Sequence, residues 1–210
     1  MSVVTIRGQM GSGAPEIGKQ IAGMLHADYV DREIIAEVAA RLQRQEDEVT
    51  AKEMPPSSLL GRIAEALGRN FAFDDGLAGA YLPMWKLPLD DSRYFKALES
   101  VVRELARSEP LVIRGRGSHL FLKDHPGALH ILVVAPKGVR VKRIMKDLGL
   151  DHEAAKREVE RFDSSLREFI KRYFQSELED PANYDLVVNT DRFSFEAAAS
   201  MIVHALSFKS

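Results

Sequence analysis

The sequence predicts an α/β fold: a five-stranded, mostly parallel sheet with helices packed on both faces. First, short apolar runs alternate with longer segments of helical periodicity through most of the 210 residues. Second, most of these runs are uninterrupted, which is typical of parallel strands that are buried on both faces. Third, a glycine-rich turn directly follows the first run, where a strand passes into a helix. Ligands of such sheets gather at the carboxyl ends of the strands, so we expect the functional site there.

The predicted elements follow in chain order. In the first half they are a strand at 3–7, a helix at 16–26, a strand at 27–30 and helices at 32–44, 59–67 and 92–107. In the second half they are strands at 111–114, 130–135 and 185–190, and helices at 139–145, 151–174 and 195–206. Proline and glycine interrupt the stretch from 45 to 90, which therefore resembles an inserted lid or an assembly surface more than part of the sheet.

The turn after the first strand has the composition of a phosphate-binding loop. Its glycines allow a tight concavity in which backbone N–H groups point inward. Pro15 suits the first turn of the following helix, and a helix N-terminus behind a ring of amides favours anions. The candidate binding residues are Gly8, Gln9, Met10, Gly11, Ser12, Gly13, Ala14 and Glu16.

This loop lacks two groups that a phosphate loop normally carries. The pattern Gly-x-x-x-x-Gly-Lys-Ser/Thr asks for a lysine after the second glycine, but Ala14, Pro15 and Glu16 follow Gly13. The backbone therefore favours anion binding, whereas the missing charge predicts weakened catalysis. The alternative is an ordinary turn between strand and helix, in which Glu16 interacts with the helix dipole.

Arginines beyond the loop are candidates for the cations that phosphoryl transfer needs. Arg116 stands between two glycines just past a buried strand. It either binds a phosphate through both arms of its guanidinium or forms a structural salt bridge, and its position favours neither. Arg161 and Arg172 share a face of a long charged helix, but acidic residues are interleaved at pairing distances. A solvated helix face is the favoured interpretation of that stretch.

Composition excludes several other functions. The formal net charge is −2, so no overall field indicates binding to nucleic acid or to a membrane. The chain has no cysteine, which removes disulfides and thiol chemistry and is typical of a reducing compartment. The six histidines have no metal-ligand spacing, and no stretch is apolar enough to span a membrane. We therefore expect a cytoplasmic protein without a resident metal.

Several segments together resemble the cytidylate kinase-like family within the P-loop nucleoside monophosphate kinases. The resemblance covers most of the chain and is weakest across 45–90. The segments that carry it are Gly11–Gly13, Glu16–Gly18, Tyr29–Ile35, Val112–Gly117, Leu129–Pro136, Arg143–Met145, Asp180–Pro181 and Tyr184–Thr190.

The resemblance implies a three-layer P-loop kinase domain over 1–210 that uses ATP with Mg²⁺ and phosphorylates a pyrimidine nucleotide, CMP or dCMP. It places the donor phosphates on the loop, and the acceptor nucleotide at Asp31 and Arg116. Capping of the next helix is the safer interpretation of Asp31 from its position alone. The implied layout is a core at 1–44, 92–148 and 182–210, an acceptor-side insertion at 45–91 and a lid at 149–181. The implied catalytic cations are Arg116, Arg161, Arg167 and Arg172.

The sequence also departs from the family at the loop and in the lid. True cytidylate kinases have lysine where Ala14 stands and threonine where Glu16 stands, and the kinase-like branch often replaces that lysine too. In the lid, an aspartate followed three residues later by arginine becomes Asp163 followed by Leu166, with Arg167 one place late. Two hypotheses therefore remain, a working nucleotide kinase and a nucleotide-binding module of the same fold. A third makes residues 54–90 an assembly surface for a homo-oligomer.

Overall fold

The computed structural model describes residues 2–31, 58–59, 61–63, 92–107, 110–115 and 117–209. The predicted helix at 32–44, most of the predicted insertion and Arg116 lie outside the described residues.

The described strands and helices are close to those predicted. The strands are β1 (Val3–Gly8), β2 (Asp28–Val30), β3 (Leu111–Arg114), β4 (Ala128–Val134) and β5 (Leu186–Asn189). The helices are α1 (Ala14–Leu25), α2 (Ser92–Leu105), α3 (Ser118–Phe121), α4 (Lys137–Leu148), α5 (His152–Phe174) and α6 (Phe195–Leu206), with a 3₁₀ turn at Pro181–Asn183. β4 begins two residues earlier than expected because Ala128 and Leu129 pair with Val3 and Val4 of β1.

The five strands form one sheet in the order β2-β3-β1-β4-β5. β1 pairs in parallel with β3 on one side and with β4 on the other, and β4 pairs in parallel with β5. The α/β prediction and the strand number are confirmed. The loop that follows β1 thus lies at the carboxyl edge of the central strand, which is where such sheets bind ligands.

One face of the sheet is covered by α1 and α6. Alternate residues of β1, β3, β4 and β5 point to this face because side chains in a strand alternate in direction. With the apolar stripes of the two helices they form a buried cluster: Val4, Ile6, Ala14, Ile17, Ile21, Ala22, Val112, Leu129, Ile131, Val133, Val188, Ala198, Ala199 and Ile202. This cluster fixes α1, and with it the end of the glycine loop.

The opposite side of β1 carries polar side chains. Thr5 and Arg7 alternate with the apolar residues of the strand and are both buried. Thr5 Oγ1 lies 2.8 Å from His130 Nδ1 on β4. α3 packs against β1, and its residue Phe121 contacts Phe174 of α5 with ring centroids 5.0 Å apart.

α5 is one continuous helix. The Asp151 side chain caps it by accepting a hydrogen bond from the Ala154 N–H at 2.8 Å, and Gln175 ends it in a left-handed conformation. Its first half packs on α4 through Val141, Ile144, Ala155 and Val159. Its second half buries Phe169 and Ile170.

The chain divides into two compact units, Met1–Tyr29 with Glu109–Ser210, and Val30–Ser108. The first contains the glycine loop and the helices α1 and α3–α6. In the second, α2 buries Leu98, Val101, Val102 and Leu105. Within the described ranges, no helix is long and apolar enough to cross a membrane.

Candidate phosphate-binding site

The loop between β1 and α1 is a tight turn that depends on its glycines. Gly11 and Gly13 have φ values of +77° and +89°, in the left-handed region that favours glycine. A Cβ added to Gly11 would lie 2.7 Å from the backbone oxygen of Arg140, and one added to Gly13 would lie 2.3 Å from the Phe195 ring. A side chain at Gly11 would need the backbone of α4 to move, and one at Gly13 would need the Phe195 ring to move.

An ion pair clamps the loop at Met10. Arg140 of α4 and Asp163 of α5 are both buried, and Arg140 Nη1 lies 2.8 Å from Asp163 Oδ2. The same Nη1 group donates to the Met10 carbonyl at 3.1 Å, while Asp163 Oδ1 accepts from the Met10 N–H at 3.3 Å. Arg140 Nε donates to the Ala135 carbonyl, which holds its guanidinium at the end of β4. The pair therefore fixes both backbone polar groups of one loop residue, Met10.

The next two carbonyls of the loop are held by Arg143 of α4 and by Thr190, which follows β5. Arg143 Nη1 donates to the Gly11 carbonyl at 3.1 Å and to Thr190 Oγ1 at 2.9 Å. The Thr190 hydroxyl in turn donates to the Ser12 carbonyl at 2.7 Å. The carbonyl oxygens of Met10, Gly11 and Ser12 are thus all engaged by side chains outside the loop.

Several N–H groups of the loop, in contrast, donate no hydrogen bond to the described residues. Among the described residues, the amides of Gly11, Gly13 and Ala14 have no acceptor, and the fully buried Ser12 Oγ has no hydrogen-bond partner. Gly13 caps α1, so these amides lie at the positive end of the helix dipole. Engaged carbonyls and free amides at a helix N-terminus make a site for an anion, and above all for a phosphate.

The first turn of α1 carries an acidic side chain and no lysine, whereas a phosphate-binding loop normally has a lysine there. Ala14, the first residue of α1, is buried, and Glu16 in the first turn is exposed. Besides Arg140, a second buried cation beside the loop is Arg7, whose Nη1 group donates to the Gly8 carbonyl. Burial lowers the pKa of Arg7 to about 10, so it remains protonated at neutral pH.

A family model describes this chain almost completely. The model of the cytidylate kinase-like family matches residues 3–192, which include the loop, the clamp and all five strands. The chain belongs to the cytidylate kinase-like family. The prediction that named this family is confirmed.

Two curated relatives show how far the similarity extends. A cytidylate kinase of Methanosarcina barkeri is 27% identical over 197 residues, which cover 91% of this chain and 88% of that protein. A uronate isomerase of Corynebacterium glutamicum is 33% identical over 104 residues, or 50% of this chain. The match spans only 20% of that isomerase.

Solved structures show the same fold. A crystal structure of a protein from Eubacterium ventriosum superimposes with a TM-score of 0.69 at 18% identity, covering 99% of each chain. Shikimate kinase from Acinetobacter baumannii superimposes with a TM-score of 0.50 at 15% identity, covering 99% of this chain and 94% of that one. The protein therefore has the P-loop kinase fold.

The cations predicted on the kinase lid are paired with neighbouring carboxylates or lie near an aromatic ring. Arg161 is exposed and lies 2.7 Å from Glu158, and Arg167 Nε lies 3.1 Å from Glu179. The Arg172 guanidinium lies 5.9 Å from the centroid of the Tyr173 ring. The loop is contacted instead by Asp163 of the same helix, four residues before Arg167. The catalytic role of the three arginines stays a prediction.

Of the two residues predicted to hold the acceptor, the structure describes Asp31 but not Arg116. Asp31 directly follows β2 and is buried, in the second compact unit. Arg116 lies outside the described residues, between Gly115 and Gly117, whose φ values are +98° and +79°. Both assignments stay predictions.

The sequence did not identify the four residues that fix the loop as functional positions. They are Arg140, Arg143, Asp163 and Thr190. For three of these residues the sequence does contain a signal, namely their position after a predicted strand. Arg140 and Arg143 are one helical turn apart just after β4, and Thr190 follows β5, so all three come from carboxyl ends of strands next to β1 or β4. Asp163 carries no comparable local signal.

The residues present fit the phosphates of ATP, because the glycine cradle leaves amides and a buried hydroxyl without partners. For the magnesium ion, the oxygen-bearing side chain in the first turn of α1 is the exposed Glu16, and carboxylates suit that cation. Among the described residues there is no group of three or more histidine and acidic side chains that could hold a metal without the nucleotide.

Proposed function

We propose that the protein is a nucleotide phosphotransferase, which transfers the γ-phosphate of ATP with Mg²⁺ to a nucleoside monophosphate. CMP and dCMP are the acceptors that we expect first, in a cytoplasmic enzyme that binds neither nucleic acid nor a membrane. The observation that carries the proposal is the loop at the head of α1. Its carbonyls are engaged, its amides are free, and it lies in a chain matched by the family model over 3–192.

The engaged carbonyls support this function on electrostatic grounds. A backbone carbonyl that faced a triphosphate would repel it, whereas here Arg140, Arg143 and Thr190 hold the carbonyls. Because the loop is fixed before a ligand binds, little conformational entropy is lost when phosphate docks against the amides.

The remaining predicted residues have roles that follow from their positions. Asp31 and Arg116 would hold the acceptor nucleotide. Arg161, Arg167 and Arg172 would stabilise the transferred phosphoryl group, and Arg161 and Arg167 would have to leave Glu158 and Glu179 to do so. Surface ion pairs are worth about 0–1 kcal/mol, so such an exchange costs little. Magnesium bound to the phosphates would neutralise charge that builds up in transfer.

A nucleotide-binding module with little catalysis is the second candidate, and a specific observation favours it. Ala14 is buried and Glu16 is exposed at the positions where cytidylate kinases carry lysine and threonine. Losing a contact that stabilises the transition state costs about 3–4 kcal/mol, or a rate factor of about 10² to 10³. A homo-oligomer through residues 54–90 is a separate proposal, and most of that range lies outside the described residues.

Transfer of labelled γ-phosphate from ATP–Mg²⁺ to CMP, dCMP, UMP, AMP and GMP tests the proposal. We expect saturable labelling of CMP or dCMP that is lost in Arg116→Ala. Arg103→Gln, on the surface of α2, is the matched arginine control and should retain the activity. If nucleotide binds but no acceptor is labelled at high protein concentration, the binding module is the function instead.

A further inference from the structure

Arg7 is a buried cation, and among the described residues no carboxylate forms an ion pair with it. Its side chain leaves the next-to-last position of β1, and only 4% of its surface is exposed. A guanidinium carries five N–H donors. Among the described residues its one hydrogen bond goes to the Gly8 carbonyl, and the buried Nε has no acceptor.

The acidic groups that attract Arg7 are committed to other arginines. Asp163 and Glu179 both act on Arg7 electrostatically and oppose the lowering of its pKa. Asp163, however, lies 2.8 Å from Arg140, and Glu179 lies 3.1 Å from Arg167. Each carboxylate is therefore largely neutralised by its own partner, and Arg7 keeps a net positive charge in a buried position.

A second buried polar atom that has no hydrogen-bond partner among the described residues lies near Arg7. His119 of α3 is 2% exposed, and its Nε2 has no hydrogen-bond partner. Its ring stacks on Tyr184 with centroids 4.8 Å apart, and Tyr184 also interacts electrostatically with Arg7. Burial and the charge of Arg7 lower the pKa of His119 to about 3, so the ring is neutral and adds no repulsion.

A buried charge without a partner is costly and is seldom kept for stability alone. Arg7 directly precedes the loop, and its guanidinium touches the loop's first carbonyl. We propose that Arg7 binds a phosphate group of the nucleotide seated on the loop, and that it supplies the positive charge that Ala14 does not. This inference rests on the proposed function insofar as it takes the loop to bind nucleotide.

Two nucleotides bring phosphate to this loop, the donor and the acceptor, and binding measurements distinguish them. The probes are ADP and CMP, with adenosine and cytidine as matched ligands that lack phosphate. The variant is Arg7→Met, which removes the charge and keeps most of the side-chain length, and Arg103→Gln is the surface control. Calorimetric titration gives the affinities without any catalytic turnover.

We expect Arg7→Met to weaken binding of at least one phosphorylated probe by about 10- to 100-fold, the loss typical of a hydrogen bond to a charged group. If only the affinity for ADP falls, Arg7 binds the donor phosphates. If only the affinity for CMP falls, Arg7 binds the acceptor phosphate. If both affinities fall, Arg7 lies between the two phosphate groups. Binding of the two nucleosides should be unchanged. Equal affinities of variant and wild type for ADP and CMP would overturn the inference and leave the proposed function standing.

Stability of the free protein separates a binding role from a structural one. If the role of Arg7 is to bind a ligand, the unfolding temperature of free Arg7→Met should equal or exceed that of the wild type. The reason is that the substitution removes a buried unpaired charge. Ligand-induced stabilisation should then be lost. A variant that is less stable without ligand, or that does not fold, indicates a structural role and contradicts the inference. Arg7→Lys provides the second test, because an ammonium keeps the positive charge and should retain more affinity for ADP or CMP than Arg7→Met does. A folded lysine variant that binds both probes as weakly as the methionine variant would also overturn the inference. A wild type that binds no probe overturns the proposed function itself.

Discussion

Asp163 Oδ1 lies 3.3 Å from the backbone nitrogen of Met10, so a carboxylate on α5 contacts the phosphate loop. The contact is buried and is completed by Arg140, which bonds to Asp163 and to the Met10 carbonyl. The helix that carries the predicted lid arginines is therefore tied to the loop at its middle.

The first prediction concerns this clamp. Asp163→Ala should lower the free energy of unfolding by about 3–5 kcal/mol, because it leaves Arg140 charged and buried without its partner. Urea denaturation followed by circular dichroism measures the change. Glu158→Ala, which removes an exposed carboxylate from Arg161 on the same helix, should cost less than about 1 kcal/mol. Equal losses in the two variants would show that the clamp adds no stability.

The second prediction concerns the loop glycines. Gly13→Ala should destabilise the protein, because the new methyl group meets the Phe195 ring at 2.3 Å and φ is +89°. Gly23→Ala is the matched control in α1, where an added Cβ has no neighbour within 4 Å. That change should stabilise the helix by about 0.5–1 kcal/mol. Thermal unfolding should show a lower unfolding temperature for Gly13→Ala and a higher one for Gly23→Ala. An unchanged unfolding temperature for Gly13→Ala would contradict the loop geometry.

The third prediction concerns the missing loop charge. The double variant Ala14→Lys with Glu16→Thr should raise phosphoryl transfer from ATP, because it restores a cation and a hydroxyl at the head of α1. Steady-state turnover with the best acceptor measures the gain. The variant Lys19→Ala with Glu16→Thr lacks the new lysine and should show no comparable gain. If the double variant gains nothing, the placement of donor phosphates on this loop is wrong.

The fourth prediction concerns the pH dependence of stability. Burial lowers the pKa of His119 to about 3, whereas the unfolded chain has its ordinary value of 6.5. Between these values the unfolded state binds the extra proton, so the free energy of unfolding falls as the pH falls from 6.5 towards 3. The stabilisation is complete above 6.5, and the slope from this one group is at most about 1.4 kcal/mol per pH unit.

His119→Phe provides the comparison for that slope. It keeps an aromatic ring to stack on Tyr184 and removes the titrating group. Urea denaturation at pH 7, 6 and 5 should show a shallower decline for the variant than for the wild type. His130 titrates in both proteins, and its electrostatic coupling to His119 is part of the measured difference. Parallel declines would show that His119 does not contribute.

Much of the fold could be predicted because its signals are local. Leu111–Ile113 is an uninterrupted apolar run that is followed by Arg114 and a glycine, and β3 forms at Leu111–Arg114 as expected. Phe195–Leu206 has one apolar face behind a serine whose hydroxyl accepts from the Ala197 N–H, and it forms α6 as expected. The short helix α3 was missed, because Ser118–Phe121 is too short to show a period of 3.6 residues.

The sequence by itself determined the α/β fold, the family and the position of the phosphate loop. Glycine spacing, β-branched runs and helical periods each act within a few residues, and they agree here from end to end. The tertiary structure decided which side chains fix the loop, and it buried Arg7 without an ion pair among the described residues. Met10 and Asp163 are 153 residues apart, and Ser12 and Thr190 are 178 apart. Contacts at such separations form only when the sheet brings the strand ends together, so no local pattern in the sequence encodes them.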